Sequence, residues 1–331
     1  VYRGAPEGSP VFLLNKMIDD KNERFSASEA GNCDSPEYVS GREALSTGNR
    51  TDLNYAVSNE YVSTVGDAPD ETGAPKAQES VTSAEFLLDG ERLVPVGDLV
   101  RVIDNGHGLA WGTDAYLLSA FVRRHRRACE LGSGCGVISF LVATHNKCDT
   151  LVSIELNPDA ADRTRRGAGV NGLDGRVSVI ERDIRTVKYT DEDIGRRFDC
   201  VISNPPYIAH EGLKNCDKTA DDARHENNGG IEDFCAAAAR LLNHRGSFYV
   251  VFRPERMTDL FCALRKNRLE PKRAVLVYPD AGSKPSLFLC EAVLGAAPGL
   301  DFCPPLLFYK NKTAPREMTE RMAEIYRDCR F

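Results

Sequence analysis

Glu130-Leu131-Gly132-Ser133-Gly134-Cys135-Gly136 decides how the rest of this chain is read. The apolar residues 128–131 have the length of a buried strand, and residues 137–145 carry helical periodicity, so the glycines turn a strand into a helix. Glycines at alternate positions let the backbone pass close to a ligand that a Cβ atom would exclude. Dinucleotide-binding folds space these glycines Gly-x-Gly-x-x-Gly, whereas this turn is the tighter Gly-x-Gly-x-Gly. Alone, such a turn admits a nucleotide-like ligand and says no more.

The same rhythm repeats outward. Strand-length apolar runs fall at 128–131, 151–155, 177–181, 198–203, 247–252, 274–278 and 287–293, and helical patterns at 114–125, 137–145, 158–170, 230–242 and 254–266. Alternation of this kind predicts an α/β protein with a doubly wound, seven-stranded, mostly parallel sheet. Pro158 and Pro254 suit the first turn of their helices, where a missing amide hydrogen costs little.

Residues 84–310 form the predicted domain. Residues 1–83 are polar and low in periodicity, read as a disordered or irregular extension ending in a linker at 67–83. Residues 311–331 read as a C-terminal helical tail. The charge is uneven: residues 1–89 carry −9 of the overall −7, leaving +2 for the remainder. A balanced core with Arg123-Arg124-His125-Arg126-Arg127 and Arg265-Lys266-Asn267-Arg268 is compatible with phosphate contacts, and those clusters are expected to flank the cleft. Solvated helix ends are the plainer alternative.

Eleven cysteines without a Cys-x-x-Cys pair suggest neither a disulfide framework nor a metal site, and a reducing, cytoplasmic setting is expected. No run approaches the roughly 18 apolar residues of a membrane helix, so no membrane association is expected.

Downstream of the glycine turn, Glu155 closes the second strand, 19 residues beyond Gly136. A carboxylate there can accept both hydroxyl hydrogens of a ribose. Capping of the helix at Pro158, by Glu155 or Asn157, is the ordinary alternative.

The fourth strand runs into Asn204-Pro205-Pro206-Tyr207. Two prolines fix the backbone and aim its carbonyls, Asn204 offers an acceptor, and Tyr207 a flat stacking surface. An amine conjugated to a ring or acyl group is a poor nucleophile because its lone pair is delocalised. Hydrogen bonds from that amine to the Asn204 side chain and the Pro205 carbonyl would turn the lone pair outward and stabilise developing positive charge. A plain turn after a strand is the alternative.

The compact glycine turn behind Glu130, followed by the Asn-Pro-Pro-Tyr tetrapeptide, resembles class I methyltransferases that use S-adenosylmethionine. The resemblance implies a Rossmann-like fold and a cofactor site built from Glu130, Gly132, Gly134, Gly136, Glu155, Asp183 and Asn204, with no metal. It places Glu130 near the methionine moiety, though a strand-end acid facing solvent is equally readable, and Asp183 at the adenine amino group. Asn204, Pro205 and Tyr207 would carry the chemistry, and Pro206 and Tyr207 would contact the substrate.

Residues 109–118, Leu-Ala-Trp-Gly-Thr-Asp-Ala-Tyr-Leu-Leu, are similar to a segment of bacterial enzymes that methylate N6 of adenine in the anticodon loop of a valine transfer RNA. So are Ala223-Arg224-His225-Glu226 and Phe252-Arg253-Pro254-Glu255-Arg256, and the likeness spans about residues 88–310. It implies an RNA substrate, a transfer RNA, with Arg224 on a phosphate. Asp114 is a candidate cofactor ligand, Thr113 a helix cap, and His225 a structural residue. Departures are Trp111, where the family more often has Phe, and the loose 227–230 linker. Three alternatives stay open: glutamine methylation of a protein such as a release factor, a non-catalytic RNA-binding scaffold, and an NAD-linked oxidoreductase. The first is weakened because residues 1–88 lack the helical periodicity of a substrate domain.

Overall fold

The computed structural model describes residues 83–106, 112–206, 229–313 and 316–331. The disorder expected of residues 1–82, and the roles expected of Trp111, Tyr207, Arg224 and His225, lie outside these residues. A turn of 3₁₀ helix at Ser83–Phe86 leads into an antiparallel hairpin of β1 (Arg92–Val96) and β2 (Val100–Asp104). There follow α1 (Thr113–Phe121), β3 (Arg127–Leu131), α2 (Val137–Thr144), β4 (Thr150–Glu155), α3 (Pro158–Val170), β5 (Val177–Glu181) and β6 (Phe198–Ser203). The second half comprises α4 (Ile231–Leu241), β7 (Leu242–Phe252), α5 (Met257–Lys266), β8 (Leu269–Tyr278), β9 (Leu287–Leu294), the two-residue strands β10 (Asp301–Phe302) and β11 (Leu306–Leu307), and α6 (Glu320–Asp328).

The local reasons are visible in the sequence. Asn157 accepts a hydrogen bond from the amide of Ala160 at 3.1 Å, Pro158 follows it, and α3 ends before Gly172 with φ 63°. Leu151, Val152 and Ile154 are buried because β4 lies inside the sheet with helices over both faces.

The main sheet runs β10-β8-β9-β7-β6-β3-β4-β5, with β11 also paired to β8. Strands β5, β4, β3, β6 and β7 are parallel, and β9 runs antiparallel between β7 and β8. The fold is α/β, a mostly parallel sheet covered by helices on both faces, as expected. Its seven long strands are the seven expected; the two short edge strands and the separate β1–β2 hairpin are additions. The hairpin docks on α3 through the bidentate pair of Arg166 with Glu91, at 2.6 and 2.8 Å. Its bonds to Arg166 hold the Glu91 carboxyl below its ordinary value.

Two apolar layers cover the faces, one gathering α1, α2 and α6 and the other α4 and α5. Residues 311–331 contain the expected helix, but it is part of the first layer. Met322, Ile325 and Cys329 are fully buried, and the Tyr326 ring lies 4.8 Å from that of Tyr116.

The basic clusters are not where they were expected. The first immediately precedes β3 and the second immediately precedes β8, and β8 runs in the same direction as β3. Both therefore sit at the amino-terminal edge of the sheet. In addition, Arg124 pairs with Asp149 (2.8 Å), Arg265 with Glu270 (2.7 Å) and Lys266 with Glu232 (2.7 Å).

Candidate active site

From β3 the chain winds through β4 to β5, then returns to place β6 on the other side of β3. Ligands of open α/β sheets bind beyond the carboxyl ends of the strands at such a reversal. The ends that meet there are Leu131 and Ser203, which pair in register, with the Ser203 hydroxyl donating to the Leu131 carbonyl at 2.9 Å. Gly132 follows one strand and Asn204 the other.

Gly132, Gly134 and Gly136 all adopt left-handed φ, 71°, 55° and 82°. A Cβ on Gly136 would approach Phe140 to 2.7 Å and Thr164 to 2.8 Å, so this glycine lets α2 and α3 close together. A Cβ on Gly134 would meet nothing within 4 Å among the described residues, so that glycine borders open space there. Its backbone is fastened on both sides, the amide donating to Glu155 Oε2 at 2.8 Å and the carbonyl accepting from Thr164 Oγ1 at 2.7 Å.

Glu155 thus braces the glycine turn, and its Oε1 accepts the Asn157 amide at 2.8 Å. Asn157, not Glu155, caps α3. Each oxygen of an ionised carboxylate has two acceptor directions, so this bracing is compatible with accepting hydroxyl hydrogens as well.

Glu130 corrects the solvent-facing alternative. It is 1% exposed, inside the molecule, where Ser139 donates to its Oε2 and the Ser139 and Ser153 hydroxyls meet at 2.7 Å. Burial pushes its carboxyl up to about 8, so it carries its proton at neutral pH. An acid at a strand end reads as exposed unless the helix behind the turn presents a serine to it. Asp183 lies just past β5, where Arg185 grips both carboxylate oxygens and, with its own backbone amide, holds the group below its ordinary value.

Asp114 and Asn204, 90 residues apart, come together. Asn204 Nδ2 donates to Asp114 Oδ2 at 3.1 Å, and Asp114 Oδ1 accepts the Ala115 amide at 2.8 Å. A side chain at Gly112 would press on Asp114 Oδ1 at 2.9 Å, which is why glycine precedes the helix. Thr113 does not cap α1: Gly112 holds the cap position, and the Thr113 hydroxyl accepts from Tyr326 at 3.4 Å. Pro205 and Pro206 follow Asn204, Pro205 buried and Pro206 partly so.

The methyltransferase small domain matches residues 107–265, a span holding the glycine turn, the strand-end acids and Asn204. A relative described as tRNA1(Val) (adenine(37)-N6)-methyltransferase, from Bacteroides fragilis, is 29% identical over 178 residues, covering 53% of this chain and 73% of its own length. One of the same description from Aeromonas hydrophila is 32% identical over 155 residues, covering 46% and 62%. This chain is an S-adenosylmethionine-dependent methyltransferase. It is distantly related to the two enzymes just described. A solved structure of a predicted O-methyltransferase from Agrobacterium tumefaciens superposes with TM-score 0.53 at 22% identity, covering 66% of this chain and 97% of that one, which speaks to the fold alone.

The methyltransferase's own residues fit the cofactor. Among the described residues, the hydroxyl of Ser133, inside the glycine turn, is buried without a hydrogen-bond partner, and the adjacent Gly134 opens on free space. Beside Glu155, Leu156 is 37% exposed, an apolar surface at the end of β4. Neither Ser133 nor Leu156 stood out in the sequence, because only burial and exposure distinguish them.

Proposed function

We propose that this methyltransferase acts on the exocyclic N6 amine of an adenine in RNA, a transfer RNA being the substrate that its relatives' descriptions favour. The observation that carries this reading is the fixed amide of Asn204 at the reversal of the sheet, beside the glycine turn. When bound, S-adenosylmethionine supplies a methyl group made electrophilic by its sulfonium. Gly132, Gly134 and Gly136 give it backbone room, Ser133 and Glu155 offer polar partners to the amino-acid and ribose ends, and Asp183 accepts from the adenine amino group beside Leu156. Glu130, protonated and buried, supports the turn from beneath.

Asp114 takes a different part from the one first expected. Because it engages Nδ2, the amide oxygen of Asn204 is oriented as an acceptor, and Asp114 is a positioning residue. Asn204 Oδ1 and the Pro205 carbonyl accept the two amine hydrogens of the target base. The lone pair is then turned out of conjugation, and positive charge developing on nitrogen is met by preorganised dipoles. The proton leaves to water afterwards. Pro206 and Tyr207 hold the base, a stacked ring being worth about 1–3 kcal/mol, and Arg224 meets a phosphate.

Incubation with a methyl-labelled cofactor and an unmodified transfer RNA transcript tests the reading. Label in the RNA supports it; label in a release-factor peptide, with none in RNA, replaces the substrate by a glutamine amide.

A further inference from the structure

With the Arg-rich clusters on the far edge of the sheet, the cations that adjoin the crevice are different ones. Arg253 directly follows β7, and β7 lies beside β6, with Ser203 in register with Val250. The guanidinium of Arg253 reaches the Ser286 carbonyl at 3.4 Å, in the β8–β9 loop that also carries Lys284. Across that loop Asp280 turns inward, accepting the Gly282 amide at 2.9 Å and the Ser283 hydroxyl at 2.8 Å. Its carboxyl is held below its ordinary value by the Ser283 hydroxyl first, and then by the Gly282 amide and the nearby charges of Lys312 and Arg316. Arg316 lies over the Tyr309 ring at 5.4 Å and donates to the Lys312 carbonyl at 3.4 Å.

Two cations of this edge are paired, Lys310 with Glu317 and Glu320, and Arg256 with Asp259. Lys284 and Lys312 are exposed, and neither they nor Arg316 form an ion pair among the described residues. The ionised Asp280 counts one negative charge against those of Lys284, Lys312 and Arg316, so the rim presents net positive charge. Four strand steps separate β6 from β11, about 19 Å at ~4.8 Å per step. A stacked strand advancing about 3.4 Å per phosphate would place about five phosphates over that distance.

We propose that Arg253, Lys284, Lys312 and Arg316 form a phosphate-binding rim that holds the single-stranded RNA flanking the target base. The rim rests on the reading of RNA as substrate. It supplies affinity without sequence information, leaving the choice of base to the crevice. Neutralising phosphates releases counterions, so the rim's contribution falls steeply with salt.

The test compares the full chain with its Lys284→Ala/Lys312→Ala/Arg316→Ala variant and an Arg123→Ala/Arg124→Ala/Arg126→Ala control from the opposite edge. RNA KM is measured on an unmodified transfer RNA transcript from ~50 to ~200 mM salt, with cofactor Kd alongside. The rim variant should raise KM about tenfold and flatten the salt slope by about 2, at ~0.7 per phosphate, leaving kcat and cofactor Kd unchanged. The control should match the unaltered protein. Should loss of Arg316 disturb the Tyr309 packing, Lys284→Glu/Lys312→Glu tests the same charge without it. Equal KM and slope in rim variant and unaltered protein overturn the rim while the RNA reading stands. An unaltered protein that neither binds nor methylates the transcript overturns the RNA reading and the rim with it.

Discussion

Asn204 Nδ2 donates to Asp114 Oδ2 at 3.1 Å, joining the end of β6 to the start of α1. The bond turns Nδ2 of the amide toward Asp114. It also ties Asn204 to the C-terminal helix, since Thr113 beside Asp114 accepts from Tyr326 and the Tyr116 hydroxyl donates to the Tyr326 carbonyl at 2.6 Å.

Asp114→Asn should lower kcat about tenfold, the loss of roughly 1.4 kcal/mol from one orienting hydrogen bond, because an amide at 114 can face Asn204 with either end. Cofactor Kd should move less than threefold. Single-turnover rates with calorimetry separate the two effects. A variant that loses cofactor binding while keeping its single-turnover rate at saturation would make Asp114 a cofactor ligand after all.

Arg185 competes for the acceptor that the adenine amino group is proposed to use. The Arg185 side chain is exposed, so solvent screens the pair and its net contribution is small. Arg185→Ala should therefore tighten S-adenosylmethionine binding by no more than about fivefold, whereas Asp183→Ala should weaken it. Titration calorimetry reads both, and weakening in both variants would mean that Arg185 itself serves the cofactor.

Glu130 predicts a pH dependence of stability. Its folded carboxyl titrates at about 8 and its unfolded one near 4.5, so the folded state binds the extra proton between those values. Its contribution is complete below pH 4.5 and is lost as pH rises towards 8. Glu130→Gln should remove that slope and gain on the order of a few kcal/mol at pH 8. Urea unfolding at pH 5 and pH 8 checks it; identical slopes in the two proteins would deny the buried proton.

Ile325→Ala should destabilise the whole protein by roughly 2–5 kcal/mol, the range for a buried aliphatic truncation. Ile325 is fully buried in α6, so loss of a cooperative unfolding unit, not of a tail, is expected in thermal denaturation. A cost under about 0.5 kcal/mol would return residues 311–331 to the status of an appendage.

The strands were legible because each is an apolar run closed by a polar or glycine signal, and α3 because Asn157 and Pro158 mark its start. The hairpin escaped notice since Pro95 in β1 and the adjacent buried pair Val102 and Ile103 in β2 break its apolar alternation. In α6, read from the sequence as part of a helical tail, Met322 and Ile325 form one buried stripe among the charges Glu320, Arg321, Glu324, Arg327 and Asp328. Charge patterning located the Arg-rich clusters in sequence but not on an edge; the direction in which the chain enters β3 and β8 fixed that. The glycine turn, Glu155 and Asn204 stood out in the sequence because each follows or closes an apolar run. Asp114 as the partner of Asn204 was not, because no local pattern encodes a contact across 90 residues.

Mass spectrometry of nucleosides from an unmodified transfer RNA transcript, treated with the protein and S-adenosylmethionine, tests the account most directly when Asn204→Ala is run beside it. The unaltered protein should yield N6-methyladenosine and Asn204→Ala none, with the variant's cofactor Kd staying within about threefold. Methylation at another atom, or undiminished methylation by Asn204→Ala, would contradict it.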